Sequence, residues 1–217
     1  MYNPSIKHMK KKIIIALSVV IGIAIYAACS YVPEFNGIDI SHHNRVNWDK
    51  VRENEAIKFC YIKATEGKSF RDPMCAKHAK KAHENGLHVG LYHYFRTDVT
   101  PEKQFENFKR VYDKVPSNLI PVIDVEKDGN DFSNADFVND RLDSLTHLFE
   151  QEYNCKPIIY LGSWCCLKVI PSIYDCPLWL RFIKGYHFIP NTAIKQVAII
   201  DHLDMNYCKD IDDIILK

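Results

Sequence analysis

The sequence predicts an α/β chain whose parallel strands close into a barrel. Short runs rich in β-branched residues alternate with amphipathic helical stretches through most of the 217 residues, an order that implies a parallel sheet with helical crossovers. Polar groups also collect at or near the carboxyl ends of successive strands: Asp39, Glu66, His93, then Asp124 with Glu126. A barrel gathers such ends at one mouth, whereas an open doubly wound sheet concentrates its site at one switch point. Nor is there a Gly-rich phosphate loop, since Gly86, Gly90 and Gly162 stand alone.

Taken in order, the chain opens with Lys7, His8, Lys10, Lys11 and Lys12 ahead of an uncharged apolar stretch from Ile13 to Ala28. That pattern is a secretory signal. Its 16 residues fall short of the ~18 to 20 of a membrane span, with an uncleaved anchor as the alternative. The stretch ends in Tyr26-Ala27-Ala28-Cys29-Ser30, which resembles a bacterial lipobox with Cys29 as the lipidated first residue of the mature protein. Residues 1–28 are therefore expected to be a lipoprotein signal peptide, 29–35 a short linker, and 36–217 one globular domain. Strands are expected at Gly37–Ile40, Ile57–Ala64, Leu87–Phe95, Leu119–Val125, Pro157–Leu161 and Pro177–Phe182. Between them, Asp72 and Pro73 open a helix that Gly86 stops, and Thr100 with Pro101 opens a second carrying Phe105, Phe108, Val111, Tyr112 and Val115. Ser133 is the expected cap of a third, with Val138, Leu142, Leu145 and Phe149 at helical spacing. Helical signal fades after about residue 170.

Composition narrows the function. Loss of residues 1–28 removes four lysines and no acid, so the 28 basic and 27 acidic residues become 24 and 27, a net charge near −3. No basic field is left to recruit nucleic acid. Seven cysteines follow Cys29, an odd number without metal-ligand spacing, and most are expected to pack as small apolar groups. His42, His43 and His93 lack any zinc-site pattern, so neither a metal nor another cofactor is expected. The chemistry points instead to Asp124 and Glu126. Two positions apart at the end of an apolar strand, they share a face with Cα atoms about 6.5 to 7 Å apart. Like charges that close push one pKa up and keep a proton on a carboxylic acid near neutral pH.

Four segments occur together in order: Gly37-Ile38-Asp39-Ile40-Ser41-His42-His43, Tyr61-Ile62-Lys63-Ala64-Thr65-Glu66-Gly67, Gly90-Leu91-Tyr92-His93-Tyr94-Phe95 and Pro121-Val122-Ile123-Asp124-Val125-Glu126. This series resembles glycoside hydrolase family 25, the muramidases or lysozymes that cleave peptidoglycan between N-acetylmuramic acid and N-acetylglucosamine. Weaker echoes continue at Ile158-Ile159-Tyr160, Leu178-Trp179-Leu180 and Leu203-Asp204-Met205-Asn206. The resemblance implies a modified TIM-like barrel of five β/α units followed by β-strands. It also implies Glu126 as general acid and base, Asp124 assisting through the substrate's 2-acetamido group, with an inverting attack by water as the alternative, and Asp39 as a further catalytic carboxylate. Asp204, Tyr92, Tyr160 and Trp179 would contact the sugar, and Lys63 with Glu66 would brace the site as an ion pair. The expected partners are a glycan strand and, through Cys29, a bacterial membrane, with the protein acting as a monomer in the cell envelope, or secreted if not lipidated. Two departures stand out. Asn44 and Arg45 replace a common Gln-Gly, and Phe188-Ile189-Pro190-Asn191 stands where relatives carry a Trp-Gln-Tyr strand, removing an aromatic and an amide from the groove. Rival readings are a non-catalytic peptidoglycan-binding lipoprotein on the same barrel and a hydrolase with metal at Asp39, His42 and His43.

Overall fold

The structure, a computed structural model, describes residues 34–162, 175–181 and 191–216. The expected signal peptide, Cys29 and Phe188-Ile189-Pro190 lie outside the described residues.

Within them a sheet closes on itself. Strands β1 (Gly37–Ile40), β2 (Phe59–Glu66), β4 (His88–Tyr94), β5 (Val122–Val125), β6 (Ile158–Leu161), β7 (Leu178–Arg181) and β8 (Thr192–Ile200) run parallel, each beside the next. Strand β9 (Leu203–Cys208) turns back antiparallel to β8 and pairs with β1, which completes the barrel. A two-residue strand, β3 (Phe70–Arg71), folds onto the end of β2 outside the ring. The expected barrel is thus the observed one, with β8 and β9 forming its strand-only closing segment.

Helices α1 (Trp48–Glu53), α2 (Cys75–Glu84), α3 (Pro101–Tyr112) and α4 (Ala135–Tyr153) make the crossovers up to β6. Sequence periodicity misses α1 because six residues are too few to show a stripe; its signal is Asn47, whose side chain accepts from the amides of Asp49 and Lys50. The second helix starts later than Asp72 and Pro73 imply. Asp72 caps the turn before it, accepting from Met74 N at 2.8 Å, while its other oxygen takes the backbone and ring N–H of His42. At α4 the cap is Asn134 rather than Ser133, accepting from Phe137 N at 3.1 Å. Strand β2 begins two residues late because Ile57 N is held in a turn by Asn54 O, and β5 begins after Pro121, which has no N–H to give the ladder.

Two apolar layers result. One lies between the sheet and helices and contains Phe95, Phe108, Val138, Leu142 and Phe149. The other fills the barrel with inward residues at every second position: Phe59 and Tyr61, Val122, Ile158 and Tyr160, Trp179, Ile194. Glycines make room for the two largest rings of β2. A Cβ on Gly37 would lie 2.2 Å from the Phe59 ring and one on Gly90 2.1 Å from the Tyr61 ring. With those rings packed against neighbouring backbone, the lower barrel is filled.

Candidate active site

The same alternation that fills the barrel carries polar side chains up to its mouth. Above Tyr61 on β2 comes Lys63, above Gly90 on β4 come Tyr92 and Tyr94, above Val122 on β5 come Asp124 and then Glu126, and above Trp179 on β7 comes Arg181. Register brings Asp124 beside both Tyr94 and Tyr160, and Asp39 beside Asp204. Because β9 runs backwards, Asp204 reaches the mouth from the start of its strand. Together these residues line one cleft of about 600 Å³. Glu126, Asp124, Asp39, Asp204, Tyr92, Tyr160 and Trp179, separate in sequence, all border it.

Their surroundings differ. Asp124 is only 8 % exposed, and its Oδ1 is buried without a hydrogen bond from the protein. Burial pushes its proton affinity well above the ordinary carboxylate range, and Glu126 and Asp39 add to this as like charges while Lys63 opposes. Glu126 is half-buried and also raised, by burial first; Arg181 pulls it down, Asp204 pushes it up. Asp39 is raised by burial and by Asp204, although Asn206 Nδ2 donates to its Oδ2 at 2.8 Å. Four acids share the mouth, and each holds its proton more tightly than a solvated carboxyl. Space for Glu126 comes from Gly162, where a Cβ would sit 2.7 Å from Glu126 Cγ.

Trp179 and Tyr160 are not open sugar platforms. At 2 % and 7 % exposure they belong to the barrel filling. Trp179 Nε1 donates to Asn206 Oδ1 at 3.0 Å, which fixes the amide that holds Asp39. The Tyr160 hydroxyl donates to Gln196 Oε1 at 2.7 Å, and the Gln196 side chain hydrogen-bonds Asp204. Tyr92 and Tyr94 remain half-open to the cleft, Tyr94 stacking under Lys63 and donating to Asp128 O at 2.9 Å.

His93 is not part of the mouth, contrary to its place late in a strand. Its ring turns outward between β4 and α3, bonded to Thr65 and Gln104, and burial lowers its pKa to about 4. His42 is occupied by Asp72 at 2.8 Å. Among the described residues no group of three His, Cys, Asp or Glu is placed to hold a metal. The Lys63–Glu66 ion pair does form, at 2.7 Å, and Arg96 joins it at 3.2 Å from Glu66.

Gln196 and Arg181, both of which act on the acids of the cleft, are not marked out by the sequence. Gln196 lies on β8, two positions from inward Ile194, and alternation finds it once that strand is recognised. Arg181 follows Trp179 by the same step of two, but an arginine ending a strand reads as solvated surface.

An acid-lined cleft edged by tyrosines, at the carboxyl mouth of a β/α barrel, has the make-up of a glycoside hydrolase site. The family model described as Glycosyl hydrolases family 25 matches residues 38–198, and the chain belongs to that family. The uncharacterized protein YegX of Escherichia coli (strain K12) is 34 % identical over 145 residues, 64 % of this chain and 52 % of that protein. Thus the chain spans about half the length of the YegX proteins it matches. Lysozyme M1 of Streptomyces globisporus is 35 % identical over 65 residues, covering 30 % of this chain and 22 % of that one. Among solved structures, a family 25 glycosyl hydrolase from Bacillus anthracis superposes with a TM-score of 0.71 at 26 % identity, covering 83 % of this chain and 92 % of the other. A muramidase from Trichobolus zukalii shares the fold, with a TM-score of 0.68, 21 % identity and coverage of 82 % and 95 %.

Proposed function

We propose that the protein hydrolyses the β-1,4 bond between N-acetylmuramic acid and N-acetylglucosamine in peptidoglycan, with Glu126 as the acid. The observation that carries this reading is the pairing of a half-buried Glu126, facing the cleft, with a buried Asp124 that has an unsatisfied oxygen aimed at no protein donor. Glycosidic cleavage needs a proton on the leaving oxygen and negative charge near the oxocarbenium-like transition state. In the free protein the two acids compete for protons. A 2-acetamido N–H donating to Asp124 would stabilise its ionised form and leave the proton on Glu126, where the leaving oxygen needs it. As the acetamido oxygen attacks the anomeric carbon, with Asp124 orienting the amide, the glycosidic bond breaks and the leaving oxygen takes the proton of Glu126. Water, deprotonated by the resulting Glu126 carboxylate, then opens the oxazolinium ring. Asp39, held by Asn206, and Asp204, held by Gln196, place carboxyl oxygens around the developing cation.

Lysozyme and muramidase names among the relatives support this substrate class. The test is hydrolysis of purified peptidoglycan by the full chain. New reducing ends should appear, carry N-acetylmuramic acid, and vanish with Glu126→Gln; unchanged release by that variant rejects the assignment, and reducing-end N-acetylglucosamine replaces it with a glucosaminidase. The enzyme's proposed station is a bacterial envelope membrane, through lipid on Cys29, with the protein acting as a monomer. Metabolic labelling with a palmitate analogue should tag the wild type and not Cys29→Ser, and equal labelling of both removes the tether.

A further inference from the structure

Among the described residues three cations line the cleft: Lys63, Arg96 and Arg181. The first two share a counter-ion, since Glu66 lies 2.7 Å from Lys63 Nζ and 3.2 Å from Arg96 Nε. Arg181 stands apart. Among the described residues no carboxylate is within ion-pair distance of it, although eleven such pairs form elsewhere. The residues that are not described, 1–33, 163–174, 182–190 and 217, include no Asp or Glu. Composition alone therefore excludes an acidic side chain from those stretches as its partner.

Its position is fixed by the sheet. Trp179 and Arg181 fall on the inner face of β7, with Arg181 opposite Gln196 of β8. The groups facing it are Tyr160 of β6, Glu126 beyond β5 and Asp204 of β9. Its charge favours ionisation of both acids, yet burial outweighs it and both stay above their ordinary range. Neither acid lies within ion-pair distance of the guanidinium, so among the described residues it has no direct counter-ion. What remains is an exposed, planar five-donor fork on the cleft wall, a geometry suited to gripping a carboxylate through two parallel hydrogen bonds.

Resting on the peptidoglycan reading above, we infer that Arg181 is a specificity residue that binds a carboxylate carried by the muramic acid side of the substrate. That carboxylate is either the free lactyl group of a glycan stripped of peptide or an acid of the stem peptide attached there. A chitin-like chain offers neither.

Binding to full-length Glu126→Gln, which removes both turnover and the titration of Glu126, tests this. The probes are three tetrasaccharides of alternating N-acetylglucosamine and N-acetylmuramic acid: one with free lactyl groups, one with stem peptides, and one with each lactyl carboxylate reduced to an alcohol. At least one acidic probe should bind about tenfold or more tightly than the reduced one. Whichever acidic probe gains names the source of the carboxylate. Adding Arg181→Gln should abolish the preference, and Arg181→Lys should restore only part of it, because an ammonium lacks the fork. Arg181 is exposed, so folding is not at stake. Equal binding of all three probes, or a preference that survives Arg181→Gln, overturns the inference. If the wild type releases reducing ends all the same, the hydrolase stands and only this role for Arg181 falls; no binding and no release fells both.

Discussion

Glu126 sits between opposing influences, and their balance sets when it can donate a proton. Burial raises its proton affinity, Arg181 and Lys63 lower it, Asp204 and Asp128 raise it again. As the acid, Glu126 must be protonated in the free enzyme, so kcat/KM falls as pH rises through its pKa. Arg181→Gln deletes the largest opposing influence. The descending limb of the kcat/KM profile should then move to higher pH; a limb that stays or moves down shows that Arg181 does not act on the acid. Sequence made Asp124 and Glu126 conspicuous because carboxylates are costly in an otherwise apolar strand. Arg181 had no such contrast, and Gln196 lies on β8 beside a register shift that breaks the alternation.

At the level of elements, the strand-helix alternation up to β6 was legible because each strand is apolar and α2, α3 and α4 are long enough to show a stripe. Boundaries slipped where a side chain served a turn instead of a helix, as at Asp72, or where a neighbour made the better cap, as at Asn134. The closing strands were harder. β8 mixes exposed and buried positions, with a register shift between Gln196 and Ala198, so its alternation is broken in sequence. Neighbouring strand ends also shape the site, and Gly162, just past β6, is the case to test. Its N–H donates to Val125 O at 3.1 Å, which presses the backbone against the side chain of Glu126. Gly162→Ala would put a methyl group 2.7 Å from Glu126 Cγ and displace the carboxyl. A displacement near 1 Å costs about 100-fold in rate. The expected result is a kcat loss of that order with a melting temperature close to wild type; full activity would show that the space beside Gly162 is not what positions the acid.

For the whole molecule, the acidic mouth is a burden on stability, and its dependence on pH has a definite sign. Asp39, Asp124, Glu126 and Asp204 all bind protons more tightly folded than unfolded. Their protons are present in both states below about pH 4 and are given up earlier by the unfolded chain as pH rises, so each erodes stability through the window from its unfolded pKa to its raised folded one. Carboxyls shifted the other way, Glu84, Asp131 and Asp201, lie on the surface, where solvent and salt weaken such effects. His93 also opposes the acids. Its folded pKa of about 4 lies below the unfolded value, so it costs stability as pH falls from about 6.5 towards 4. That contribution is common to wild type and to any variant at the mouth, and it cancels in their difference. Asp124→Asn removes the most enclosed of the acids while keeping its shape. The variant should therefore melt above wild type at pH 7, by roughly 3 °C for each kcal/mol of relieved repulsion and desolvation, and the gap should close towards pH 4 as the wild-type carboxyl regains its proton in both states. The same substitution should abolish hydrolysis, because an amide cannot carry the charge that orients the substrate's acetamido group. A gap that is negative at pH 7, or constant from pH 4 to 7, would mean that Asp124 is ionised and well satisfied in the resting protein, and the proton shared with Glu126 would have to be found elsewhere.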